Sequence, residues 1–236
     1  MRNMLIIARR ELQAYFVSPI AYVITAAFLA LTGYLFSMIL YYSREATLQY
    51  LFQNVKTILL LIAPILTMRL LAEELSKGTI ELLLTSPVRD WEIALGKYLA
   101  SLGLFAVMLL LTGYYPLLLK IYGQPDWGPV WGGYLGIFLL GATLLSLGLF
   151  TSSLTSNQIV AAVLSLVLIL AFWLLGALSG IATGTLGSLV NYLGLASHFG
   201  EFESGIIDSK DVVYALSIII GSLFLTTRIL EMRRWK

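Results

Sequence analysis

The sequence predicts an all-α polytopic membrane protein with six transmembrane helices, an N-terminal interfacial amphipathic helix and a short amphipathic helix in a charged cytoplasmic loop. Three observations carry the fold class. The chain is 59% apolar and only 12% charged, about half the charge of a soluble domain, and its mean hydropathy is +0.89. Its long apolar runs match the ~20 residues needed to cross a bilayer core. Its cations are distributed very unevenly between the loops.

In chain order, residues 1–18 form a separate element. Met4, Leu5, Ala8, Leu12, Tyr15 and Phe16 recur at helical spacing, with Arg2, Arg9, Arg10 and Gln13 opposite. This pattern predicts an amphipathic helix in the headgroup plane that turns upward at Ser18-Pro19. The apolar run from Leu12 to Ser43 is too long for a signal peptide and lacks a small-residue cleavage site.

The first span is expected at Pro19–Tyr42, the second at Thr57–Ala72 and the third at Tyr98–Leu119. No formal charge interrupts Trp127 to Gly200, so breaks there must come from local chemistry. The Ser/Thr-rich run Thr151 to Gln158 and the Gly-rich run Gly176 to Gly187 supply them. They place a fourth span at Trp131–Phe150 and a fifth at Ile159–Ile181. The last span is Val212–Thr227. Residues 183–211 remain as an extracytoplasmic segment, of which 183–200 reads as an outer or re-entrant stretch.

The cations agree with six spans and both termini inside. Arg2, Arg9, Arg10, Arg69, Lys77, Arg89, Lys97, Arg228, Arg233, Arg234 and Lys236 then face the cytoplasm, eleven against four outside: Arg44, Lys56, Lys120 and Lys210. A seventh span within 183–200 would reverse Arg228–Lys236. Lys56 and Arg69 are expected at span ends, snorkelling to the surface.

The charged loop 73–92 lies between two nearly uncharged spans. Glu73, Lys77 and Glu81 are four apart and form one ladder, with Ile80, Leu83 and Leu84 on another side. The spacing predicts an amphipathic helix of about three turns, ending at Thr85-Ser86-Pro87. Ser86 and Pro87 suit the cap and first position of the next helix. Gly96 suits close helix packing. A solvated loop that only holds the topology would show the same charge run.

Several chemistries are excluded. No cysteine is present, so disulfides, thiolate metal sites and cysteine nucleophiles are absent. One histidine, His198, cannot build a multi-histidine metal centre, and no metal site is expected. No Gly-x-x-x-x-Gly-Lys-Ser/Thr loop occurs, so the chain holds no ATP by that motif. A net charge of +2 gives no basis for a nucleic-acid partner.

The run Met68-Arg69-Leu70-Leu71-Ala72-Glu73-Glu74, then Gly78-Thr79-Ile80-Glu81-Leu82-Leu83-Leu84, Pro87-Val88 and Glu92…Gly96-Lys97 resembles the signature of ABC type-2 exporter permeases. So do the Arg-Glu-x-x-x-Tyr-Phe-x-Ser-Pro pattern from Arg10 to Pro19, and His198-Phe199 with Gly205-Ile206-Ile207-Asp208 and Asp211-Val212-Val213-Tyr214. The chain is most similar to the short, gliding-motility type of these permeases.

The resemblance implies a single permease domain over 1–236, paired with a second permease copy or homologue. It implies two ABC ATPase subunits as partners and a bacterial or archaeal cytoplasmic membrane, with the lipid bilayer as solvent. No cofactor is bound by this chain, and ATP and Mg sit on the partner. Glu73, Glu74, Lys77, Gly78, Thr79, Glu81 and Leu84 are the implied ATPase-coupling residues. Arg9, Arg10 and Glu11 lie on the implied connecting helix. The implied translocation path follows the second and fifth spans, with Thr67, Ser165 and Phe172; a lining without fixed charge fits a lipid-like, amphipathic or peptide cargo better than an ion. The family often has Arg after the paired Glu, whereas this chain has Leu75-Ser76-Lys77, a change that bears on which ATPase is accepted.

Three rival readings share parts of this pattern. An ion-coupled carrier would place charges mid-membrane, and the first, fourth, fifth and sixth spans hold none. An intramembrane serine protease is suggested by Ser179-Gly180 and His198, but Ala177 stands where its motif needs Gly. A non-transporting membrane anchor would look the same in sequence. The acidic residues Glu201, Glu203, Asp208 and Asp211 make either a solvated cap or a contact for an extracytoplasmic accessory protein.

Overall fold

In the computed structural model, residues 2–80, 88–178 and 192–234 are described. Among them the regular structure is helical. Six helical segments are long and apolar enough to cross a membrane. The two ends of the described chain lie at one end of the bundle, here the base, where Met4 packs on Gly96 and Arg234 pairs with Asp90 at 3.4 Å.

Helix α1 (Arg2–Val17) ends where Ser18 turns the chain, its φ of −82° and ψ of 128° breaking the helical path before Pro19 opens α2 (Pro19–Ser43). Pro at the first position has no orphan N–H to satisfy. The expected bend is therefore present, but the buried face of α1 is rotated. It is Ile7, with Met4, Ala8, Glu11, Leu12 and Tyr15, that turns inward, while Leu5 and Phe16 stay exposed. Helix α2 is about 37 Å long at ~1.5 Å per residue and leaves most of its surface free for lipid.

Helix α3 (Gln49–Thr67) begins earlier than expected, so Lys56 lies within the helix. It is not a snorkelling end residue: its ammonium pairs with Glu203 and donates to the Phe199 carbonyl at 3.3 Å. After Thr67 the chain makes irregular turns and then the short α4 (Ala72–Lys77). The predicted three-turn helix ends at Gly78, whose φ of +69° terminates it in the left-handed conformation. Glu81, Leu84, Ser86 and Pro87 lie outside the described residues. Val88 and Arg89 are not helical, so α5 (Asp90–Leu111) starts beyond the predicted Ser86 cap. The Glu92 carboxylate accepts from the Arg89 backbone N–H at 3.2 Å instead.

The third span, Asp90–Tyr122, is interrupted by a two-residue turn. Pro116 has no N–H for the Thr112 carbonyl, so α5 stops at Leu111 and α6 (Tyr114–Tyr122) follows the turn. The Thr112 carbonyl accepts instead from the Tyr115 backbone N–H at 3.0 Å and from the Tyr134 hydroxyl at 2.9 Å. Helix α7 (Trp127–Leu154) is the most buried span and forms the centre of the bundle. Its Asp126 cap accepts from Gly128 N–H at 3.0 Å. Two of its glycines allow close contact with α3: a Cβ on Gly133 would fall 2.1 Å from the Phe52 ring, and one on Gly148 would fall 2.1 Å from Thr67 Oγ1.

Helix α8 (Gln158–Leu178) again presents most of its surface outward. Ile181 and residues 183–191 of the outer segment lie outside the described residues. Part of the rest of the outer segment is docked: α9 (Leu195–His198) and the turn Glu201–Ser204 bury Leu195, Phe199 and Phe202 against the spans, while Ser204, Ile206 and Ile207 stay exposed. Gly194 approaches the Gly176 backbone so closely that a Cβ would meet its nitrogen at 2.4 Å. Helix α10 (Ser209–Arg234) closes the chain.

Candidate functional site

The base of the bundle gathers most of the charges singled out in the sequence. Arg69, Glu73 and Lys77 form a ladder: Arg69 Nε donates to Glu73 Oε2 at 2.8 Å, and Lys77 Nζ to Glu73 Oε1 at 2.6 Å. The hydrogen bond from Arg69, with Lys77 on the other side, holds the Glu73 carboxyl down to about 2. Ser76, Lys77, Gly78 and Thr79 stand exposed just beyond the end of the second span, while Ile80 turns into the core.

Glu74 does not share that outward face. Its carboxylate reaches Lys97 at 2.8 Å, and Lys97 is itself buried, 1% exposed, on the first turns of α5. Lys97 also meets Glu11 of α1 at 3.3 Å, and Arg10 lies 3.4 Å from Glu11 and 4.0 Å from Glu74. Burial pushes the Glu74 carboxyl above the usual range against the pull of Lys97. Its second oxygen is buried and has no partner among the described residues. One lysine thus joins α1, α4 and α5.

Packing reinforces that junction. A Cβ on Gly96 would lie 2.8 Å from Ile7 Cγ2 and 3.0 Å from the Met4 carbonyl, so α1 rests directly on the α5 backbone. The Tyr15 hydroxyl donates to the Leu66 carbonyl at 2.8 Å, fastening α1 to the end of α3. Arg9 points to the surface.

The end of α7 is the third component, and no sequence motif singles it out. Ser152 Oγ accepts from the Leu71 and Ala72 backbone N–H groups, both at 3.1 Å, and donates to the Met68 carbonyl at 3.1 Å. Arg233 of α10 then donates to the Ser153 and Leu154 carbonyls at 3.1 and 3.4 Å. The only trace of Ser152 in the sequence is its place in a Ser/Thr run that reads as a helix break.

The residues expected along a translocation path lie elsewhere. Thr67 and Ser165 are fully buried inside the chain, Thr67 Oγ1 bonding the Ala63 carbonyl at 2.8 Å and Ser165 Oγ having no partner among the described residues. Phe172 is half-buried against the core. These three therefore do not form one open surface in a single chain.

At the far end, His198 is enclosed. Nδ1 is 2.6 Å from Asp211 Oδ1, and Nε2 is 2.7 Å from the Tyr192 carbonyl, with Tyr214 stacked on the ring at 3.9 Å. Neither ring nitrogen is free to act on a substrate, and Ser179 lies outside the described residues. No metal-binding cluster of His, Asp and Glu occurs among the described residues.

Residues 19–199 match the family described as ABC-2 family transporter protein. No curated protein matches the chain.

Proposed function

Because the chain belongs to the ABC-2 family of transporter proteins, and is a multi-pass permease, we propose that it couples ATP hydrolysis by a separate ATPase subunit to export across a bacterial or archaeal cytoplasmic membrane. The base is then cytoplasmic. The single observation that carries this reading is α4: a short helix at the end of a span, its outer face exposed and its inner face locked to two other helices through Glu74 and Lys97. A rigidly mounted projection of this kind can turn movement of an attached ATPase pair into movement of spans.

Ser76, Lys77, Gly78 and Thr79 form the contact surface within the described residues, with Glu73 holding Lys77 in place. Glu81 and Leu84 continue it in this proposal. Glu74, Arg10 and Glu11 serve as the mounting and not as the contact. Two permease copies and two ATPases, as in the gliding-motility type, complete the complex, with ATP and Mg on the ATPase. The outward faces of α2 and α8 leave ample apolar surface for a second permease and for lipid.

The test is purification of the tagged chain from its native membranes in a gentle detergent. A soluble ATPase should co-purify with the wild type and be lost with Thr79→Arg and Ser76→Trp, both at exposed positions, while the variants stay monodisperse. A stable, folded wild type that never brings down an ATPase overturns the proposal and favours a membrane anchor.

A further inference from the structure

The first N–H groups of any helix lack partners within it. In α4 the cap position is Leu71, which carries no side-chain acceptor. Ser152, on another span, supplies what is missing. Its hydroxyl takes the Leu71 and Ala72 N–H groups and gives its proton to Met68 O, all three at 3.1 Å. One donor and two lone pairs are the full capacity of a hydroxyl, and Ser152, Leu71 and Ala72 are all buried.

The neighbours show that this is not the default for a helical serine. Ser153 and Thr151 bond back to carbonyls of their own helix, at 2.6 Å to Phe150 and 2.9 Å to Gly148. Ser152 alone in that run reaches across. One turn earlier, Gly148 receives Thr67 at the last residue of α3. The last turns of α7 therefore hold both the end of the second span and the start of α4.

We infer that Ser152 caps the coupling helix from the fourth span and makes α7 its third mechanical arm, beside the chain link to α3 and the Lys97 link to α5 and α1. The inference rests on the proposed ATPase coupling. Displacement of α4 then carries directly into the most buried helix of the bundle, and through Arg233 to α10.

The chain has no cysteine, so a single cysteine at exposed Ser204 reports on the far end by its maleimide labelling rate. The complex of this chain with its ATPase is compared in lipid nanodiscs as wild type, Ser152→Ala and Ser152→Thr. In Ser152→Ala the Leu71 and Ala72 amides should exchange several-fold to about tenfold faster, as expected for one lost hydrogen-bond partner. The ATPase should remain bound and active, yet ATP should no longer alter labelling at position 204. Ser152→Thr, which keeps the hydroxyl, should restore both readouts.

Unchanged amide exchange in Ser152→Ala overturns the cap. Faster exchange with intact ATP-dependent labelling overturns the mechanical role. An ATPase that fails to bind the wild type sinks the proposed function and the arm together, while the exchange result still decides the cap on its own.

Discussion

Lys97 lies 2.8 Å from Glu74 and shows only 1% of its side chain to solvent, so a buried cation holds together the base of this permease. With Glu11 3.3 Å away on α1, the ammonium sits between carboxylates from two elements far apart in sequence. Removing it leaves two carboxylates without their common partner. Lys97→Met should destabilise the chain by about 3–5 kcal/mol, the usual cost of breaking a buried pair from one side. Adding Glu11→Gln and Glu74→Gln to the same chain should recover most of that loss. Thermal unfolding in detergent reads both, and a single variant as stable as wild type would show the cluster to be dispensable.

Gly96 makes a second, purely steric prediction. A Cβ at this position meets Ile7 Cγ2 at 2.8 Å, Ile7 Cβ at 2.9 Å and the Met4 carbonyl at 3.0 Å. The backbone oxygen cannot turn aside, so α1 must lift from α5. Gly96→Ala should cost about 1–3 kcal/mol, the range for overpacking. Trypsin should cut faster at Arg9 and Arg10, both exposed, because the helix around them detaches. Unchanged cleavage would mean that α1 is not held by this contact.

The spans were legible because lipid demands long apolar runs whatever their neighbours, and all six expected runs overlap helices. Their ends were less so, because ends are decided by contacts between segments. Gly78 carries a stop signal, yet the four-residue spacing of Glu73, Lys77 and Glu81 points through it; the positive φ at Gly78 decides the matter. For α1, composition alone favours Leu5 and Phe16 as the inward face. This helix has both lipid and protein neighbours, and only the position of Gly96 shows that Ile7 is the protein-facing residue. Ser152 is invisible in sequence because its partners are backbone N–H groups, which leave no mark on residue identity.

Glu73 and Glu74 are adjacent but should titrate in opposite directions. Glu73 is held down from 4.5 to about 2 by Arg69 and Lys77, whereas burial raises Glu74. The sign for Glu73 follows from its lowered value in the folded state. Its contribution to stability is fully present above about 4.5 and is lost as the pH falls through about 2. Carboxyl-carbon NMR of Glu-labelled protein, assigned with Glu73→Gln and Glu74→Gln, should show one midpoint near 2 and one above 4.5. Two coincident midpoints near 4.5 would mean that neither the ladder nor the burial persists in solution.

The single histidine allows an unusually direct test at the opposite end. Nε2 of His198 faces the Tyr192 carbonyl at 2.7 Å, and a carbonyl only accepts, so Nε2 must carry a proton. Nδ1 faces Asp211 at 2.6 Å, and that short contact needs a proton from one side or the other. Either an imidazolium donates to a carboxylate, or a neutral ring accepts from a carboxylic acid. In both cases the ring is pinned between α9 and α10 and stacked on Tyr214 at 3.9 Å. The ring nitrogens of His198 are the only imidazole signals in the chain, so nitrogen-15 shifts need no assignment. Nε2 should show the shift of a protonated nitrogen, and Asp211→Asn should alter Nδ1 while leaving Nε2 unchanged. The same substitution should free the segment around Leu195–His198, seen as faster amide exchange there than in the spans. An unprotonated Nε2 would show that the bond to Tyr192 does not form, and the docking of the outer segment would then rest on its other contacts, among them buried Leu195, Phe199 and Phe202, the Lys56–Glu203 pair and the Tyr214 hydroxyl on the Leu193 carbonyl.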